Sequence, residues 1–222
     1  DIAFDVSGRG AYESIQRKPG LRPTEEIEPL YKIHLAPDAP ALVRYTYATP
    51  DFIMGSLFCD ALPGEAWNNI SSQNRWHGAI FAGDRNARIY PYSETKKSHY
   101  NAHWAVQKRG TLIAQKLKTS KNVTQHRVWF SREGLAEPIQ EGAWYFAEAD
   151  SAYAAVRVVS GEAVFEDDAT DQRARILTCA DDFSPVILEI ARKADFPDFK
   201  TFRDNVQALP FQFDGTVLNY TG

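Results

Sequence analysis

The densest run of chemically capable side chains is Gln73-Asn74-Arg75-Trp76-His77. On a strand, alternation would place Gln73, Arg75 and His77 on one face and the other two on the opposite face. A guanidinium binds a carboxylate through two hydrogen bonds, and an indole offers a flat apolar face to a sugar ring. We therefore predict that Gln73, Asn74 and Arg75 bind substrate. His77 is predicted to be catalytic, whereas a strand tryptophan such as Trp76 more often belongs to the core.

A second run, residues 98–104, contains His99, Tyr100, His103 and Trp104. A tyrosine beside a histidine can act as base and acid in β-elimination from a uronic acid whose carboxylate is neutralised. We predict Tyr100 and His103 as catalytic residues and Trp104 as a platform for a sugar ring. On a strand, His99 and His103 would lie too far apart to share one metal ion unless the chain bends, and a third ligand such as His77 or His126 would have to come from another strand. No metal ligand is assigned, and any cofactor stays unknown.

Other chemistries lack their sequence signals. The chain has no GxSxG, no glycine-rich phosphate loop, no HExxH and no EF-hand loop, which disfavours serine hydrolases, kinases and calcium sensors. Asp84, Asp181 and Asp182 offer carboxylates, but a glycosidase acid/base pair is defined by its separation in space, so their spacing in the sequence does not identify one.

Charge is distributed unevenly although the net charge is only −4. Between Thr95 and Arg132 there is no Asp or Glu, while lysines and arginines recur throughout. We expect these neighbouring strands to share one sheet surface that attracts a polyanion, most simply an acidic polysaccharide or the acidic face of another domain. The alternative is that the cations neutralise the acidic C-terminal half through solvated pairs. No nucleic-acid partner is predicted, because no helix-turn-helix, zinc finger or RNA-binding signature accompanies the stretch.

The chain divides at about residue 40. Residues 1–40, rich in Pro and Gly, are predicted to form an irregular N-terminal arm. Residues 41–222 predict an all-β fold, a large antiparallel β-sandwich or supersandwich with one short C-terminal helix. In that helix, apolar residues recur every three or four positions from Phe199 to Leu209, before Pro210. The main predicted strands are 42–47, 52–58, 75–81, 87–90, 103–108, 111–117, 126–130, 143–147, 153–159 and 185–191, with a closing strand or hairpin over 211–220.

The compartment is suggested by weak local signals. No apolar run is long enough for a membrane span. Three Asn-x-Ser/Thr sequons begin at Asn69, Asn122 and Asn219, which favours a secreted or periplasmic protein. Cys59 and Cys179 lack a CxxC spacing, and they either pair or remain two buried thiols.

Four segments, in order, resemble the C-terminal β-sandwich of heparinase II/III-like proteins, in which an α/α toroid precedes the sandwich. They are Tyr47-Ala48-Thr49-Pro50-Asp51-Phe52-Ile53-Met54-Gly55, Gln73-Asn74-Arg75-Trp76-His77-Gly78, Gly142-Ala143-Trp144-Tyr145-Phe146 leading to Tyr153-Ala154-Ala155-Val156-Arg157, and Pro185-Val186-Ile187-Leu188-Glu189 followed by 199–202. The resemblance implies a carbohydrate-active protein, with residues 1–40 as the trailing end of a toroid that this chain lacks. In lyases of that group a Tyr and a His of the toroid meet a His of the sandwich, and some sandwiches hold a structural zinc. These ligands do not match residue by residue here and are not transferred.

The leading hypothesis is therefore the β-sandwich domain of a carbohydrate-active enzyme, a polysaccharide lyase that acts on acidic polysaccharide by β-elimination. Without a toroid domain or chain as its partner, this part would be catalytically incomplete. The alternative is a non-catalytic β-sandwich module that binds glycan or supports a neighbouring domain.

Overall fold

The computed structural model describes residues 34–35, 43–58, 77–84, 86–95, 103–116, 123–168 and 171–222. Within them the chain is mostly strand, as predicted, with one α-helix and one 3-10 turn, Lys193–Asp195. The strands are β1 His34–Leu35, β2 Val43–Ala48, β3 Phe52–Phe58, β4 Gly78–Phe81, β5 Arg88–Thr95, β6 His103–Lys108, β7 Thr111–Lys116, β8 Val123–Ser131, β9 Ile139–Glu141, β10 Trp144–Glu148, β11 Ala152–Val158, β12 Ala163–Asp167, β13 Ala174–Cys179, β14 Val186–Arg192, β15 Phe211–Phe213 and β16 Leu218–Tyr220; the helix is α1, Phe199–Ala208.

The strands form two antiparallel sheets and a separate hairpin. The first sheet has the order β1-β2-β3-β4-β5-β8-β13-β12, and the second has the order β6-β7-β14-β11-β10-β9. Among the described strands, β15 and β16 pair only with each other. The chain thus leaves the first sheet after β5, adds the β6–β7 hairpin to the second, and returns to the first at β8.

The core lies between the two sheets, where alternate residues of each strand point inward. Val128 and Phe130 of β8 contribute from the first sheet, and Val156 of β11 and Leu188 of β14 contribute from the second. The amide of Gln107 on β6 also donates to the carbonyl of Met54 on β3, at 3.1 Å, so a polar contact joins the sheets as well. The expected β-sandwich is confirmed.

Helix α1 covers the outer face of the second sheet. The Asp198 carboxylate caps its first turn by accepting a 2.7 Å hydrogen bond from the Thr201 amide. Phe202 is fully buried on the helix and stacks on Tyr153 of β11, with ring centroids 5.4 Å apart. Because Tyr153 and Ala155 are buried on this outer face, β11 is apolar on both sides.

The differences from the predicted strands have local causes. Strand β5 continues through Pro91 to Thr95, because its ladder with β8 extends beyond the short ladder that joins it to β4. Strands β9, β12 and β13 were not among the predicted ones, and β12 is an edge strand with outward-facing Val164 and Glu166. Of the predicted arm, residues 34–35 form β1 beside β2, and the rest lies outside the described residues. The helix found in the described part of the chain is too short and too polar to cross a membrane.

Candidate functional site

A groove of about 510 Å³ opens at one end of the sandwich. One wall is formed by β7 and by the loop between β13 and β14, and the other by the β15–β16 hairpin. Its lining mixes aromatic rings, aliphatic side chains and a few polar groups. The lining residues are Ile113, Gln115, Ser160, Asp181, Phe183, Pro185, Phe213, Gly215, Thr216 and Leu218.

The loop at 181–185 is held in one conformation by hydrogen bonds to Asp181. One carboxylate oxygen accepts from the Ser160 hydroxyl at 2.7 Å, and the other accepts from the Phe183 amide at 2.9 Å. The Asp181 carbonyl also accepts from the Ser184 amide at 3.1 Å. These bonds fix both a carboxylate and an aromatic ring at the groove.

Both sheets anchor this loop from below. His126 of β8 is fully buried, and its Nδ1 lies 2.8 Å from the Ser184 carbonyl oxygen, so Nδ1 carries the hydrogen and donates it. The Ser184 hydroxyl accepts from the Ser160 amide at 2.8 Å. From the second sheet, the Gln115 amide donates to the Phe183 carbonyl at 3.2 Å. The loop that forms part of this wall is therefore held by His126 of the first sheet and by Gln115 of the second.

The opposite wall is the end of the β15–β16 hairpin. The Asp214 carboxylate accepts from the Thr216 and Val217 amides, at 2.8 and 2.7 Å, and these bonds lower the pKa of Asp214 below its usual value. Phe213 and Leu218, a register pair, are half-buried and face the groove. Farther along, the Arg157 guanidinium lies 3.6 Å from the centre of the Phe211 ring, which holds the hairpin to the second sheet.

Two predicted residues belong to a strand beside the groove. The β6–β7 ladder pairs Trp104 with Gln115, which lines the groove, and pairs His103 with Lys116. His77 is described, and it does not line the groove. His77 precedes β4 and is fully buried. Gln73, Asn74, Arg75 and Tyr100 lie outside the described residues.

The expectation that the basic stretch occupies one sheet surface is wrong. Strands β6 and β7 belong to the second sheet and β8 to the first. Lys108 and Arg109 are exposed at the β6–β7 turn, at the end of these strands opposite to Gln115. Arg132 pairs with Asp167 beyond β8. The basic residues named here therefore lie on different sheets, because the chain passes from the second sheet to the first between β7 and β8.

The groove residues Phe183 and Phe213 were not identified from the sequence. Asp181 was considered only as a catalytic carboxylate, and the polar turn Asp181-Asp182-Phe183-Ser184 was a signal for an ordered loop that went unused. Cys179, at the end of β13, is a free and buried thiol. Within the described ranges no group of three or more His, Cys, Asp or Glu side chains is arranged to hold a metal ion.

Comparison of the chain with protein-family models, with curated proteins and with solved structures gives no match. The resemblance to heparinase II/III-like sandwiches therefore stays a prediction from the four segments that carry it. A functional hypothesis has to be built on the groove itself.

Proposed function

We propose that this chain is the β-sandwich module of a carbohydrate-active protein and that it binds a glycan chain in the groove. The observation that carries the proposal is the pairing of two aromatic rings, Phe183 and Phe213, with the fixed carboxylate of Asp181 in one open cleft. A secreted or periplasmic location, which the sequons predict, belongs to the same proposal.

The lining suits the chemistry of a sugar chain. Aromatic faces pack against the apolar C–H face of a pyranose, and hydroxyl groups require nearby acceptors and donors. Asp181 supplies acceptor oxygens, while Gln115 and Thr216 add an amide and a hydroxyl. Because hydrogen bonds already order the loop that carries Asp181 and Phe183, little conformational entropy is lost when a ligand binds.

Binding is favoured here over catalysis. The predicted β-elimination stays a prediction, because His77 is buried and Tyr100 lies outside the described residues. It is tested by incubating the protein with uronate polymers and following the absorbance of new unsaturated ends, with the N-terminal toroid restored. No increase in absorbance in that experiment ends the lyase hypothesis.

The binding proposal is tested by affinity electrophoresis in gels that contain neutral or acidic soluble polysaccharides. We expect retardation by at least one glycan, and Phe183→Ala or Phe213→Ala should each weaken it roughly 3- to 10-fold, from about 0.5–1.5 kcal/mol per aromatic contact. Gln212→Ala is the matched control, since Gln212 is exposed on β15 but does not line the groove. Circular dichroism checks that each variant is folded.

Two results would contradict the proposal. The first is a lack of retardation by every glycan of a panel that contains glucan, mannan, xylan, pectate, alginate and heparin. The second is equal retardation of the wild type and both phenylalanine variants, which would place the glycan elsewhere on the protein.

A further inference from the structure

We propose that a second site, between Arg132 and Arg175, binds a phosphate or sulfate group. These arginines line a small cavity of about 120 Å³ together with Phe130, Ser131, Leu135, Ala136, Glu137 and Pro138. The site is independent of the proposed glycan groove, because His126, which supports the groove, lies near the start of β8, whereas Arg132 follows its end.

The backbone brings the two guanidinium groups together. Arg175 lies on β13, whose ladder with β8 pairs it with Phe130 and pairs Ala174 with Ser131. Arg132 follows Ser131 directly, and its amide donates to the Arg173 carbonyl, so the pairing of the two strands continues to this point. The side chains of Arg132 and Arg175 are consequently diagonal neighbours on adjacent strands.

Fixed contacts orient both cations before any ligand arrives. The Nε of Arg132 donates to the Ala174 carbonyl at 3.1 Å. The guanidinium of Arg175 lies 5.7 Å from the centre of the Phe165 ring. Burial, and then the neighbouring charge of Arg132, lowers the pKa of Arg175, which indicates that the two charges repel each other. An anion between them would relieve this repulsion.

The present counter-ions are held at the solvent edge. Arg175 pairs with Glu137 and Arg132 pairs with Asp167, but the carboxylate side chains are 74% and 85% exposed. Exposed ion pairs contribute only about 0–1 kcal/mol, so either carboxylate can move away at low cost. The arginines are the less exposed partners, at 17% for Arg175 and 35% for Arg132.

The shape of the site selects a compact oxyanion. A guanidinium binds phosphate or sulfate through two parallel N–H groups, and two such groups can contact different oxygens of one tetrahedral anion. The cavity has room for several water molecules or for one such anion, but not for a nucleotide. The group can come from free inorganic anion or from a sulfated polymer.

Calorimetric titration with inorganic phosphate, at constant ionic strength, tests the site. We expect saturable binding that Arg175→Gln weakens by at least about tenfold, since a charged hydrogen-bonding partner is lost. Arg173→Gln is the matched control, because Arg173 is exposed, pairs with Asp171 on its own turn, and does not line the cavity. Absence of saturable binding, or equal affinity in Arg175→Gln, would overturn the proposal.

A second variant keeps the test valid if Arg175→Gln does not fold. Glu137→Gln removes the competing carboxylate at an exposed position, and we expect phosphate to bind about two- to fivefold more tightly. Unchanged or weaker binding by this variant would refute the competition on which the site depends.

Retention on sulfated dextran but not on dextran would identify a polymer-borne sulfate as a source, and binding of free anion alone would restrict the site to small anions.

Discussion

Glu189 should make the stability of this protein fall as the pH rises through neutrality. The side chain lies on the outer face of β14 under the β15–β16 hairpin, and it is only 8% exposed. One carboxylate oxygen accepts from the Thr111 hydroxyl at 3.0 Å. Burial raises the pKa of Glu189 from 4.5 to about 7, and Thr111 only partly offsets that effect.

The charged and titratable groups around Glu189 do not neutralise it. From β16, the half-buried Tyr220 lies beside the carboxylate, and its partial burial together with the charge of Glu189 raises the pKa of Tyr220 well above its usual value. Arg157 on β11 contacts the rings of Trp144 and Phe211. Tyr220 therefore stays protonated throughout the range in which Glu189 ionises.

Proton linkage gives the direction and the magnitude of this pH effect on the free energy of unfolding. The folded protein binds the Glu189 proton more tightly than the unfolded chain, so this contribution to stability is complete below pH 4.5 and is lost as the pH rises to about 7. A pKa shift of this size corresponds to about 3 kcal/mol of the free energy of unfolding. Screening by solvent does not reduce this value much, because the carboxylate is buried.

Urea unfolding of the wild type and of Glu189→Gln between pH 5 and pH 8 measures the effect. The free energy of unfolding of the variant, relative to the wild type, should increase by about 2–3 kcal/mol over this range, because glutamine does not ionise. Other groups that titrate over this range are present in both proteins, so their contributions cancel in the difference. Glu166→Gln is the matched control, since Glu166 also accepts a threonine hydroxyl but is exposed. A constant difference between wild type and Glu189→Gln from pH 5 to pH 8 would refute the reasoning.

Two further predictions concern packing and reactivity. A Cβ at Gly110 would lie 2.2 Å from the Ile190 carbonyl oxygen, so Gly110→Ala should lower the free energy of unfolding by about 3 kcal/mol. Gly142 has a φ of 60° but open space around it, so Gly142→Ala should lower the free energy of unfolding by only about 1 kcal/mol. Equal losses of stability in urea would contradict this. Burial raises the pKa of Cys179 to about 12, so in a Cys59→Ser background Ellman's reagent should label it only after unfolding. Rapid labelling of the native protein would be evidence of an accessible thiol.

Local pattern accounts for the elements that were predicted well. Strands β3 and β6 have the predicted bounds. The break at Thr49-Pro50-Asp51 lies before β3, and the turn at Arg109-Gly110 ends β6. Helix α1 follows from the spacing of Phe199, Phe202 and Val206 before Pro210. Strand β12 was missed because the apolar Val164 shares its outer face with Glu166, which weakens the hydrophobic alternation. Among the described strands, β12 also has a neighbour on one side only.

The candidate groove could not be predicted from local sequence patterns. Gln115, Ser160, Phe183 and Phe213 come from separate segments that meet only because β7 and β14 are neighbours and the hairpin folds over them. No local spacing links these residues. The runs at 73–77 and 98–104 were chosen for the density of functional side chains, which says nothing about burial, and the burial of His77 illustrates this.

The amino-acid sequence by itself determined where the chain is extended and where it turns into a helix, since alternation and the spacing of apolar residues are local properties. The tertiary structure alone decided which sheet each strand joins. Strands β7 and β8 are neighbours in a basic stretch of sequence, yet they pair with β14 and β13 in different sheets. Paired residues in these two ladders are between 43 positions apart in the sequence, for Ser131 and Ala174, and 78 apart, for Thr111 and Glu189. A ladder between such distant strands is selected by the shared burial of their inward faces, which no short segment encodes.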